Sequence, residues 1–123
     1  MKSKDFLIDK EIEATNAEFP IQVDIATTAL SVTREGEVVT YKFKVDEDLV
    51  DISTMIDNSV AFKSETRQML VETLKEDAPF HALLNLMGEA GIRLRYEYKG
   101  NRSGKTMIFE FSNNEILEML EGE

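Results

Sequence analysis

The stretch Val39-Thr40-Tyr41-Lys42-Phe43-Lys44-Val45 decides how this chain is read. Val39, Tyr41, Phe43 and Val45 alternate with Thr40, Lys42 and Lys44, and side chains two apart on a strand share a face. The segment is therefore an amphipathic strand with an apolar phase and a basic one. Upstream, Leu30 and Val32 alternate with Ser31 and Thr33, and the turn Arg34-Glu35-Gly36-Glu37 joins the two into a hairpin. The same pattern returns at Ile92, Leu94, Tyr96 and Tyr98, which alternate with Arg93, Arg95, Glu97 and Lys99. A turn at Gly100–Gly104 then leads to Met107, Phe109 and Phe111.

The remaining segments read as helices. Phe6, Ile8 and Ile12 recur at helical spacing between Asp5 and Ala17, and Pro20 ends that run. Ile21–Ala26 reads as a linker. Asp46-Glu47-Asp48 breaks the sheet, and Ile52, Met55, Ile56, Val60, Phe62, Met69, Leu70 and Leu74 mark a helical region with an interruption near Asp57–Ser59. Pro79 separates it from a short helix with Leu83, Leu84 and Met87 inward, closed by Gly88 and Gly91. Met55, Met69, Met87 and Met119 read as adaptable core. Ser112 with Glu115 three residues on is a capping-box signature, opening a last helix with Ile116, Leu117 and Leu120.

The expectation is a single α+β domain over residues 1–123 in the order α-ββ-αα-ββ-α. It would hold a four-stranded antiparallel sheet built from two hairpins, with helices packed on one face. The order suggests an internal pseudo-repeat of two α-ββ-α halves.

Charge follows the same division. The hairpins Thr27–Asp46 and Ile92–Phe111 hold eight of the fourteen Lys/Arg residues and five acids, a balance of +3, while the other 83 residues stand at −13. The net −10 argues against the whole molecule coating nucleic acid or an anionic membrane. The aromatics occupy the buried phase, which argues against base stacking on the sheet. No cysteine is present, which excludes disulfides and thiolate chemistry. No apolar run approaches the ~18 residues of a transmembrane segment. The start Met-Lys-Ser-Lys-Asp-Phe lacks the apolar stretch of a signal peptide. The chain as given reads as cytoplasmic, and as exported if a leader has been removed.

Catalytic and metal motifs fail on spacing. Gly100-Asn-Arg-Ser-Gly-Lys105-Thr106 has three residues between its glycines where a P-loop needs four, and a strand follows it, not a helix. Asp46, Glu47, Asp48 and Asp51 lack the glycine and the bidentate glutamate of a calcium loop, and read as a solvated helix-capping segment. His81 is the only histidine and lies beside an apolar helix face. No serine sits in a nucleophile elbow. No cofactor is called for. Tyr96 and Tyr98, on the core phase, need partners for their hydroxyls or must reach the sheet rim, with Tyr98 placed to line a cleft.

Lys42, Lys44, Arg93, Arg95 and Lys99 remain as candidate binding residues on the outward sheet face, with Glu97 and Glu110 placed to pair with some of them. The leading expectation is a non-enzymatic binding module for an acidic protein or anionic ligand. A structural homodimer through the sheet face or hairpin edges is the alternative, and a small enzyme comes third.

Several of these residues also carry a resemblance. Asn16-x-x-Phe19-Pro20, the Thr28–Val32 strand, Val39-x-Tyr41-x-Phe43, Arg93-Leu94-Arg95-Tyr96-x-Tyr98 and Gly104-Lys105 with Ser112-Asn-Asn-Glu115-Ile116 together resemble small α+β domains of unknown function. Those domains are common in Bacteroides-type bacteria and are often exported or lipid-anchored. The resemblance implies an envelope location and carries no catalytic motif.

Overall fold

A computed structural model describes residues 3–122, with five helices and five strands among them. In chain order these are α1 (Lys4–Asn16), β1 (Ile21–Asp24), β2 (Thr27–Glu35), β3 (Val38–Val45), α2 (Ile52–Asp57), α3 (Ser59–Glu76), α4 (Ala78–Ala90), β4 (Arg93–Gly100), β5 (Thr106–Phe111) and α5 (Asn113–Leu120). The α+β class stands, and the sheet differs from expectation in two ways. It has five strands in the order β1-β2-β3-β4-β5, and its central pair, β3 and β4, runs parallel.

The parallel seam follows from the connection. A hairpin turn can only reverse the chain, whereas three helices intervene between β3 and β4, long enough to return it to the same end of the sheet. This arrangement also disposes of the pseudo-repeat. Carrying β2–β3 onto β4–β5 in chain order means reversing strand direction while keeping left-to-right order, which turns the sheet over. The helices would then lie on opposite faces.

β1 occupies the segment read as a linker. It pairs antiparallel with β2 through Ile21–Ala29 and Gln22–Thr28, with an irregularity before Asp24. All four of its residues are exposed, so no burial period marks it. The helical region does break where the pattern suggested, at Asn58 between α2 and α3. Pro79 does not separate elements. It lies in the first turn of α4, behind the cap Asp77, whose carboxylate accepts the Phe80 N–H at 3.0 Å.

The inward phase is as read except at Leu30, which is exposed while Ala29 is buried. Val32, Val39, Phe43, Val45, Leu94, Tyr96, Met107, Phe109 and Phe111 are all buried in one cluster with Ile8, Ile52, Leu84, Met87 and Ile116 of the helices. Met55, Met87 and Met119 belong to this core. Met69 does not, being 54% exposed on α3. The buried positions of α3 are Leu70 and Leu74, and Met69, like Val60, lies off that face.

Two asparagines fasten helices to the sheet. Asn16, the last residue of α1, donates to the Val32 carbonyl at 2.5 Å and accepts the Val32 N–H at 2.8 Å. Asn113 donates to the carbonyls of Met87, Gly88 and Ile92, joining α5 to the end of α4 and the start of β4. The capping box at Ser112 forms in both directions, at 3.2 and 3.1 Å. Partial burial works to raise the Glu115 pKa. The Ser112 N–H and the Lys63 ammonium at 3.1 Å outweigh that, so the group sits below its ordinary value.

Candidate functional site

The outward phase of the sheet carries all five candidate cations, as alternation predicts, and the register arranges them in rows. Arg95 lies opposite Thr40 on β3 and Glu110 on β5, and Arg93 opposite Val38. Lys42 lies opposite Glu97, and Lys44 lies opposite Lys99. The five are on one face without being equivalent. Arg95 holds Glu110 through Nε and Nη2 at 2.9 and 2.8 Å, and Arg93 reaches the other oxygen of the same carboxylate at 3.8 Å. Those two arginines share one acid, which Arg95 holds closely, so the trio keeps a charge of +1.

The three lysines are different. Among the described residues, none of Lys42, Lys44 and Lys99 has an ion pair, and Lys44 and Lys99 are direct neighbours in a parallel ladder. Like charges directly opposite destabilise a sheet by a few tenths of a kcal/mol to about 1 kcal/mol. A chain with 24 acidic residues keeps this repulsion in place. Beside the pair is a shallow depression of about 370 Å3, lined by Lys44, Lys99, Leu30 and the turn Gly100–Gly104. Leu30 is there because β2 has an irregularity between Ala29 and Ser31 that leaves it without a register partner, 44% exposed.

The turn that resembled a P-loop does cradle an anion, and the anion is the protein's own. The N–H groups of Arg102 and Ser103 both donate to Glu47 Oε1 at 2.7 Å. These bonds, Ser103 first, pull the Glu47 pKa below its ordinary value. Gly100 is needed for this contact, because a Cβ there would come within 2.3 Å of the same oxygen. The rest of the acidic segment is likewise occupied. Asp51 caps α2 through the Ser53 N–H at 2.9 Å, Asp46 accepts the Asp48 N–H at 2.9 Å, and Asp48 pairs with Arg102.

On the other side of the sheet, Tyr41, Tyr96 and Tyr98 belong to one run of stacked aromatic rings. Tyr41 and Tyr96 lie 5.5 Å apart, and Phe43 and Tyr98 4.4 Å apart. Burial, helped by Asp77, pushes the Tyr41 pKa up to about 12. Burial, helped by Asp24, pushes Tyr98 up to about 12 as well. Tyr41 lines a cleft between α1 and the start of α4, a role its sequence position did not suggest. Whether an inward tyrosine meets a helix or a gap depends on helix placement, which alternation along a strand does not encode.

Fold and site together define a helix-backed α+β domain with one face of its sheet left open. No protein-family model and no curated protein sequence matches the chain. Its fold is similar to that of a Pseudomonas aeruginosa protein assigned as secreted, with a TM-score of 0.64 and 16% identity over 94% of this chain and 98% of that one. It is also similar to two type 2 secretion system pilotins. EpsS of Vibrio vulnificus gives a TM-score of 0.57 with 13% identity over 92% of this chain and 91% of its own. AspS of Vibrio cholerae gives 0.56 with 14% identity over 91% of each chain. At these identities the likeness is one of architecture.

Proposed function

We propose that this chain is a non-enzymatic binding module of the bacterial cell envelope, related to secretion, that docks an acidic partner on its open sheet face. The observation that carries the reading is the Lys44–Lys99 pair, two neighbouring ammonium groups without a counter-ion on a molecule of net charge −10. Lys42 extends the pair, whereas Arg93 and Arg95 chiefly hold Glu110. The envelope and secretion part of the reading is supported by the fold shared with pilotins and with a protein assigned as secreted. It is also what the resemblance to exported Bacteroides-type domains implies. The non-enzymatic part is supported by the fold neighbours EpsS and AspS, which are pilotins.

The test uses a fluorescent poly-glutamate peptide as probe. Its affinity should fall as salt rises to physiological strength, where charges are screened over about 8 Å. It should be lost in the Lys44→Glu/Lys99→Glu variant and kept in a Lys75→Glu control on α3. Salt-independent binding, or full binding by the double variant, would refute the assignment. Urea titration gives a separate readout. Lys99→Glu alone turns a repulsive neighbour into an attractive one and should raise stability by about 0.5 kcal/mol while binding weakens.

A further inference from the structure

A buried phenol ordinarily finds a hydrogen-bond partner. Tyr96 is only 5% exposed, yet neither its hydroxyl nor those of Tyr41 and Tyr98 makes a hydrogen bond to the protein. Among the described residues, however, no buried side-chain polar atom lacks a partner. Each hydroxyl therefore keeps at least a narrow contact with solvent, and Tyr41 is the one that lines a cleft. Tyr41 and Tyr96 are neighbours across the β3–β4 seam with rings 5.5 Å apart, and Tyr98 follows on the same phase of β4. Asp77 acts electrostatically on Tyr41, and Asp24 on Tyr98. The result is a row of three tyrosines with a carboxylate near each end.

At the Tyr41 end the row opens into the cleft between α1 and α4, about 330 Å3 in volume. Its apolar wall is Pro79, Phe80 and Leu83, its charged rim is Glu11, Glu18 and Asp77, and among the described residues no Lys or Arg lines it. Such a site offers acceptors in several directions and an aromatic surface. A planar guanidinium, with five donors and a face that stacks on aromatics, complements it better than a compact ammonium does. We propose that the tyrosine row and its acidic cleft form a second binding site, which takes an arginine side chain presented by a partner protein. The site lies on the face opposite the lysine pair and does not depend on the reading of that face.

The chain has three tyrosines and no tryptophan, so its tyrosine emission reports on this row alone. The probe is acetyl-Leu-Arg-Leu-amide, titrated beside the same peptide with citrulline, which keeps the shape of arginine and removes its charge. A saturable change in emission is expected with the arginine peptide and none with the citrulline peptide. Tyr41→Phe keeps the ring stack and removes one acceptor, and Glu11→Gln/Glu18→Gln removes rim charge. Each should weaken binding by about tenfold or more, as losing a hydrogen bond to a charged group does. Lys44→Glu/Lys99→Glu should bind the peptide as the wild type does. Equal titrations with the two peptides, or unchanged affinity in the Glu11→Gln/Glu18→Gln variant, would overturn the site. Acetyl-arginine-amide binding as tightly as the tripeptide would overturn its assignment to a protein segment.

Discussion

Phe111→Ala is expected to destabilise the protein by about 3–5 kcal/mol, the range for removing a fully buried aromatic ring. Phe111 is 0% exposed. Its ring meets Tyr96 and Phe109 edge-on at 6.2 and 5.9 Å, and the Lys63 ammonium lies 5.4 Å from its centroid. One truncation therefore leaves a cavity, ends two T-shaped contacts and removes the ring beneath the Lys63 ammonium, which keeps its Glu115 partner. A domain of this size has roughly 5–15 kcal/mol of stability in total, so much of it would go. Urea unfolding followed by circular dichroism measures the loss. Phe111→Leu, which keeps most of the volume, should cost well under half as much. A loss below about 1 kcal/mol for Phe111→Ala would mean that helices α3 and α5 close over the cavity, contrary to the packing described.

The second large effect is expected at a polar residue. Asn16→Ala should cost about 2 kcal/mol, because it removes two hydrogen bonds and leaves both polar groups of the Val32 peptide short of a partner. The pairing of β1 with β2 begins at Ala29 and does not extend to Val32. The Asn16 carboxamide supplies the donor and the acceptor that a longer β1 would have supplied. Asn16→Asp should cost nearly as much, since a carboxylate can accept the Val32 N–H but cannot donate to its carbonyl. Amide exchange gives the local readout: the Val32 N–H should lose protection in the alanine variant and keep it in the aspartate variant. Equal protection in both variants would show that Asn16 is not the group that holds this amide.

Much of the fold is legible in the sequence because strand alternation is a local signal. Val39 to Val45 and Ile92 to Lys99 predict which side chains turn inward, and the register places each of them so. What alternation cannot report is the neighbour. Nothing in Lys44 indicates Lys99 beside it, because that relation depends on a seam between distant strands. The Glu110 pairing lies within one hairpin, and there the sequence places the acid near its arginines without saying that both share it. β1 escapes for a simpler reason: a four-residue edge strand exposed on every side has no buried phase to betray it. Several of the residues that carry the resemblance are structural fasteners. Asn16 holds α1 to β2, Asn113 holds α5 to α4 and β4, and Ser112 with Glu115 caps α5. Tyr96 and Tyr98 were legible as hydroxyls in need of partners, but the cleft at Tyr41 arises from the spacing of two helices.

The parallel seam has a consequence in time. Each hairpin can assemble from adjacent segments, but Val38 must find Arg93 and Val45 must find Gly100, 55 positions along the chain. Contacts that close so long a loop form slowly. Both candidate sites straddle that seam, with Lys44 and Tyr41 on one side and Lys99 and Tyr96 on the other. A chain with its hairpins made but its halves apart would have neither site. In stopped-flow refolding, the tyrosine signal should therefore reach its native value in the slowest phase, after most secondary structure has formed. Recognition by a partner at either site would then select only molecules whose two halves have already joined.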